Sequence, residues 1–346
     1  MQNTVILSYI IPAYNAAKTL TRAVDSIISG SSISNWEIII VENGSTDNTN
    51  LVAKEITKKY KNDRIRIFHS IPGVSNARNV GIRAAIGKWI VFVDADDYMD
   101  MDNLKLLCYD AISEKADMYI YGHEAGKNKI IVNDSTDKEY YTEKEIEKLR
   151  VKMIENPTRY LQVWAKLFRR DIICNNNIYF NPNLRLSEDS DFTIRYLEYC
   201  LNICLCNSSV YHYSLTSAST MRTYDGNKVN DYENAMEITK QYILTQNEKI
   251  QTAYYKYILM HLNIVLVREI FCIQNPEKYV EKVKRMKRIV KRKIFYDAII
   301  SVKIKEAFKP RLIPIFLMKH NLYYLASIIY LIRVFQNYFH EKSSER

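Results

Sequence analysis

The sequence predicts an α/β fold followed by an all-helical extension, on three observations. From Val5 to Asp97 short apolar runs alternate with amphipathic helical patterns, and strand alternating with helix at that pace implies a parallel sheet covered on both faces. Near Asn230 the β signal stops and a helical period takes over. The chain has 346 residues, 47% of them hydrophobic, enough to bury the core of one large domain or two ordinary ones. The expected organisation is a domain over residues 1–225 and a basic, amphipathic helical extension over 226–346.

The elements follow in order. VILSYIIPAYN, from Val5, reads as a buried strand running into a loop, and Thr19 to Ile28 places Leu20, Ala23, Val24, Ile27 and Ile28 on one helical face. WEIIIVENGSTDNT is a second strand and its turn, with a helix from Leu51 to Tyr60. IRIFHS is a third strand, and VSNARNVGIRAAIG a third helix closed by Gly87. WIVFVDADD is the fourth strand. In open parallel sheets ligands gather at the carboxyl ends of strands, so Tyr14, Glu42, Asn43 and Asp94 to Asp97 are expected on one rim. Beyond Asp100 the pattern loosens: Lys127 to Lys148 reads as a polar, exposed excursion, and VWAKLFRRDII returns to core-like sequence.

The fourth strand ends in Asp94, Asp96 and Asp97, with no basic residue until Lys105. Like charges so crowded are costly unless a cation sits among them. Alternation along a strand would turn Asp94 and Asp96 to one side. A hard divalent cation, Mn or Mg, suits such oxygens and would bridge them to phosphate. A bland alternative is a helix cap by Asp97 or Asp100 with the rest merely exposed.

The formal net charge of +10 draws the surface toward polyanions without choosing among nucleic acid, anionic lipid and a phosphorylated substrate. No recognised nucleic-acid motif accompanies the cations, which concentrate in the tail. Cys200, Cys204 and Cys206 lack the second pair that a zinc site needs, and their apolar neighbours read as buried structure. The apolar stretch Val5 to Ile11 has no basic region before it and no cleavage signal after it, so a cytoplasmic chain with reduced thiols is expected. YVEKVKRMKRIVKRKIF sets Tyr279, Val283, Met286 and Val290 on a stripe among dense Lys and Arg. That pattern suits either a solvated helix face or a helix lying on anionic lipid. The later apolar tail is broken at Pro314 and again at Lys319 to Asn321, and neither half reaches the roughly 18 residues that span a bilayer.

YIIPAYNAAKTLTRAVDSI, IIIVENGSTDNT, GVSNARNVGI, WIVFVDADDY, VWAKLFRRDII and RLSEDSDF occur in the order and spacing of a known family. Over roughly residues 5–220 the chain resembles the inverting family 2 glycosyltransferases with the GT-A fold, in the bacterial branch that builds capsule, exopolysaccharide and lipopolysaccharide. The resemblance places Pro12, Ala13, Tyr14 and Asn15 in the loop that receives the nucleotide base, where a tyrosine ring can stack on a pyrimidine. Glu42 and Asn43 stand where the family usually has Asp-Asp, and an amide at Asn43 can still pair with a uracil-like base. The resemblance puts Arg78 near the nucleotide, Asp94, Ala95 and Asp96 at the donor, and the metal on Asp94 and Asp96. It makes Asp189 the base that takes the acceptor proton, with Glu188 orienting the acceptor and Asp191 as a rival base. Asp97, Trp164, Lys166 and His212 fall at acceptor or phosphate contacts, and His212 could be a third metal ligand or a buried histidine.

The resulting expectation is a metal-dependent inverting glycosyltransferase, working at the cytoplasmic face of the cell membrane. It would move a sugar from a nucleoside diphosphate, UDP-hexose or UDP-N-acetylhexosamine, to a glycan on a lipid carrier. The alternative is a noncatalytic sugar-nucleotide or glycan-binding subunit, against which Asp94, Asp96 and Asp189 argue.

Overall fold

The structure is a computed structural model that describes residues 4–61, 63–126, 128–132, 138–143, 145–214, 224–303 and 309–344. In chain order the first unit holds β1 (Leu7–Ala13), α1 (Leu20–Gly30), β2 (Trp36–Glu42), α2 (Thr49–Tyr60), β3 (Ile65–His69) and α3 (Val74–Ala84). There follow β4 (Trp89–Phe92), β5 (Tyr98–Met99), α4 (Leu104–Ser113), β6 (Met118–Ala125), β7 (Asn128–Ile130) and β8 (Glu139–Tyr141). Then come α5 (Ile146–Glu155), α6 (Pro157–Tyr160), β9 (Lys166–Arg169), α7 (Arg170–Asn175), α8 (Glu188–Leu197) and β10 (Ile203–Tyr213). The later helices are α9 (Lys228–Ile243), α10 (Glu248–Val265) with a π-helical turn at Leu266–Ile270, α11 (Tyr279–Ile289), α12 (Lys293–Ser301), α13 (Ile313–Lys319) and α14 (Tyr323–Ser344). The chain divides into two compact units, Met1–Met153 with Pro157–Leu215, and Ile154–Asn156 with Thr216–Arg346.

The strands form one sheet in the order β3-β2-β1-β4-β9-β6-β10-β5, with β7 beside β6 and β8 beside β10. The first four are parallel as the sequence predicts. The rest departs from the all-parallel expectation: β9 runs antiparallel between β4 and β6, and β10 is parallel to β6. Residues of alternate parity along β1 and β2 face opposite sides. Tyr9, Ile11, Ile38 and Ile40 meet Leu20, Val24 and Ala53 of α1 and α2 in the main core, while Ile10 faces α3 so closely that a Cβ at Gly81 would lie 2.3 Å from Ile10 Cγ2.

Two boundaries differ from expectation. α3 ends at Ala84, not Gly87; Gly87 is instead where the loop crosses β1, its N–H donating to Ser8 Oγ at 2.9 Å. The polar segment 127–148 supplies β7, β8 and the start of α5, and buries Val132 and Ile146; residues 127, 133–137 and 144 lie outside the described ones.

In the second unit α10 packs on α9 and α12, and α14 packs on α11, α13 and the π-helical turn. Tyr330 at its centre stacks on Phe271 and donates to Asn263 Oδ1 at 2.8 Å. The stripe read as a lipid-facing candidate belongs to this interior: Val283, Met286 and Val290 are buried, and Tyr279 shares a 2.8 Å hydrogen bond with Ser327. Amphipathicity identified the apolar face correctly, but helices of the same unit cover it. Among the described residues no helix is long and apolar enough to cross a membrane.

Candidate functional site

β1 and β2 deliver two loops to the same rim, and side chains stitch the loops together. Asn15 adopts φ 48°, a left-handed conformation that asparagine tolerates better than most residues. Its N–H donates to Ser45 Oγ at 3.1 Å and its Oδ1 accepts from Thr46 N–H at 2.8 Å. Ala16 N–H reaches Thr49 Oγ1 at 2.7 Å, and Ala17 N–H reaches Asp47 Oδ2 at 3.1 Å. Pro12 and Ala13 are buried below, and Tyr14 stands 56% exposed at the top. Glu42 turns inward to accept Ser45 N–H at 2.5 Å. Asn43 is buried, its N–H bonded to Ala13 O, and its Oδ1 has no hydrogen-bond partner among the described residues. A buried amide oxygen left open costs free energy unless something fills it.

Arg78 of α3 joins this rim to the other half of the sheet. It is 3% exposed. Nη1 donates to Asp189 Oδ1 at 2.6 Å and Glu188 Oε1 at 3.1 Å, and Nη2 donates to Asp94 Oδ1 at 3.1 Å. Glu188 and Asp189 open α8 just after Ser187 at φ 62°, so the helix N-terminus also favours their negative charge. Burial works against the guanidinium's charge, but Asp189, Asp94 and Glu188 outweigh it and keep the proton on. One guanidinium cannot neutralise three carboxylates. Burial and the charge of Asp189 push Glu188 up to about 8, and burial raises Asp189 despite the pull of Arg78.

The acidic turn is arranged differently from the expected strand end. β4 stops at Phe92, and Asp94 to Asp97 form a turn closed by Asp97 N–H to Asp94 O at 3.0 Å. It keeps Asp94 and Asp96 close: burial and the neighbouring Asp94 raise Asp96. Ala95 is buried between them. Asp97 is the correction, because it is buried and both its oxygens are engaged, by Tyr211 Oη and by Ser214 N–H, each at 2.7 Å. It holds the turn to β10 and is not a surface contact for acceptor or phosphate.

The other predicted residues are held by neighbours of their own. Lys166 is buried near Asp189, its Nζ donating to Trp164 O at 3.4 Å; burial pulls it down to about 7, which Asp189 partly opposes. It is no surface ammonium. Trp164 is half-buried, stacked on Tyr211 at 4.9 Å and Tyr213 at 5.7 Å. His212 stacks on Tyr98 at 4.5 Å, with Nε2 3.0 Å from Asp100 Oδ2, so it joins Asp100 and not Asp94 or Asp96. Asp191 is buried and paired with Arg195. The three cysteines of the 200–206 group are buried and free, with Cys204 and Cys206 sulfurs 3.8 Å apart. Among the described residues no group of three His, Cys, Asp or Glu side chains is placed to hold a metal.

Two features escaped the sequence reading. Arg22 of α1 donates to Asp96 O at 2.6 Å and Ser214 Oγ at 3.0 Å while covering the Tyr98 ring. The second is the stitching by Ser45, Asp47 and Thr49, for which the dense polar run NGSTDNT was the available signal.

A parallel half with a stitched loop rim, joined through an acidic turn to a mixed half, is the architecture of GT-A transferase domains. The family model for glycosyl transferase family 2 matches residues 8–174. The uncharacterized glycosyltransferase YibD of Escherichia coli (strain K12) is 32% identical over 244 residues, covering 67% of this chain and 68% of that protein. This chain belongs to glycosyltransferase family 2. The uncharacterized glycosyltransferase EpsJ of Bacillus subtilis (strain 168) is 30% identical over 219 residues, a match spanning 60% of each protein. Among solved structures, S. aureus TarS 1-349 in complex with UDP-GlcNAc superposes with a TM-score of 0.64 at 20% identity, over 97% of this chain and 92% of that one. That likeness confirms the fold, the helical extension included.

Proposed function

We propose that the chain is an inverting glycosyltransferase that takes a sugar from a uridine diphosphate donor and passes it to a hydroxyl of a lipid-linked glycan. The Arg78 clasp carries the reading, because it fixes Asp189 and Glu188 beside the acidic turn that would face the donor diphosphate. The relative solved with UDP-GlcNAc makes that donor the first to try.

The geometry supports the following roles. Tyr14 offers an exposed ring for the base, and the open Asn43 Oδ1 can accept the imide N–H of uracil. Asp189 has one oxygen held by Arg78 and the other only 3.4 Å from Val163 N–H. That second oxygen takes the acceptor proton while the new glycosidic bond forms and the bond from the anomeric carbon to the diphosphate breaks. A carboxylate raised above its ordinary range is the stronger base. Glu188, also raised by burial and by the charge of Asp189, holds a proton more readily than an ordinary carboxyl and can then donate to the acceptor.

Asp94 and Asp96 suit a divalent cation of the Mg or Mn type, which takes one or two carboxylates and completes its shell with phosphate oxygens and water. The raised Asp96 is consistent with that fit, since a cation would relieve the repulsion from Asp94. When bound, such an ion would neutralise charge on the departing diphosphate. The test is release of UDP from UDP-N-acetylglucosamine and UDP-glucose with Mn, with Mg and with excess chelator. Release that requires metal supports the reading; full turnover in chelator contradicts the metal, and absence of donor binding contradicts the function.

A further inference from the structure

The strongest unassigned feature is the outward face of α14. Leu325, Ile328, Ile332, Phe335 and Phe339 are from 48% to 66% exposed, and Tyr324 lies beside them. Between Leu322 and Phe339 the only charged residue is Arg333, and its guanidinium is turned onto Pro310 O and Asn263 Oδ1 of the same unit. At 1.5 Å per residue this uncharged face runs for roughly 25 Å. Its other side is already committed, through the buried Ala326, Ser327, Tyr330 and Val334.

The spacing of the five exposed residues is three, four, three and four, which a helical partner could read as a seam. The flanks speak against that. A coiled coil sets charged residues beside its seam to choose partner and register, whereas here the flanking positions are Tyr324, Ile329, Leu331, Gln336 and Tyr338. The apolar arc is therefore broader than a seam, with tyrosines toward both ends, as befits an interface between water and hydrocarbon. The charge beside it is complementary to one kind of surface. Between Lys278 and Lys293 there are nine Lys or Arg and one Glu. Lys284, Lys287, Arg288 and Lys291 are exposed, and Lys287 sits over the ring of Tyr323 at the start of α14.

We propose that the exposed face of α14 inserts into an anionic lipid surface, with the basic outer face of α11 contacting the headgroups. This places membrane contact on α14, where the sequence pointed to the stripe of α11. It rests on the lipid-linked acceptor proposed above only for its purpose, since the face itself is argued from exposure and charge.

The test is cosedimentation of the full chain with vesicles of phosphatidylcholine and phosphatidylglycerol in equal parts, and with phosphatidylcholine alone. Binding to the anionic vesicles should weaken as salt rises. The double variant Ile328→Glu with Ile332→Glu should lose about tenfold or more in affinity, with its melting temperature and UDP release unchanged. Three results would overturn the proposal: no binding of the parent chain to either vesicle, equal binding by the variant, or a parent dimer that the variant dissolves. UDP release by the parent chain keeps the first of these separate from failure of the transferase reading.

Discussion

The two sides of the candidate site are built on opposite principles. On the side of β1 and β2 the backbone is held firmly; Tyr14 is exposed, and the buried Asn43 Oδ1 has no hydrogen-bond partner among the described residues. On the side of α8 the charged groups are already bound to one another through Arg78, before any ligand arrives. The first arrangement waits for a ligand, and its residues should govern affinity. The second is organised in advance, as electrostatic preorganisation requires, and its residues should govern rate and stability.

The largest effect should come from removing the clasp. Arg78→Met leaves three carboxylates facing one another in a half-buried place, and breaking a buried pair from one side costs about 3–5 kcal/mol. Chemical denaturation should show that loss, and turnover should collapse with it; a variant as stable as the parent would erase the contrast. Asp96→Ala should act on the other side alone. Donor affinity in the presence of Mn should fall about tenfold, near 1.4 kcal/mol, with the denaturation midpoint unmoved. A variant that loses stability instead would make the acidic turn structural. Asn43→Ala is smaller, because a single neutral hydrogen bond contributes about 1 kcal/mol net. It should weaken UDP binding about fivefold and leave turnover at saturating donor intact, whereas a fall in turnover with unchanged affinity would move Asn43 to the catalytic side.

A pH profile sharpens the same contrast. Burial raises Asp189 above the ordinary carboxylate range, so it gains its proton as pH falls through that elevated value and can no longer accept one. The acid limb of kcat should therefore lie above the usual carboxylate pKa of about 4. An acid limb at or below pH 4 would remove Asp189 from the role.

Legibility in the sequence followed the same division. Four parallel strands and the rim at their ends could be read because apolar runs and polar turns alternate cleanly there. Asp94 and Asp96 could be found because crowded carboxylates demand an explanation, and Glu188 and Asp189 through the family resemblance carried by RLSEDSDF. What covers a residue could not be read. Asp97 looks like its neighbours in sequence, yet Tyr211 and Ser214, more than a hundred residues away, take both its oxygens. Lys166 reads as a reachable cation until the sheet closes around β9. The stripe of α11 and the outer face of α14 are both apolar, and tertiary packing alone decides that the first is interior and the second is not.

The central claim is that Asp189, held by Arg78, accepts the proton, and that Asp191 does not. Initial rates and UDP-sugar affinities of Asp189→Asn and Asp191→Asn test it most directly, since each change keeps the side-chain size and removes the ability to take a proton. The account predicts that Asp189→Asn binds donor like the parent and turns over about a hundredfold more slowly or worse, while Asp191→Asn, altered at its buried contact with Arg195, keeps a rate near that of the parent. An inactive Asp191→Asn beside an active Asp189→Asn would contradict it.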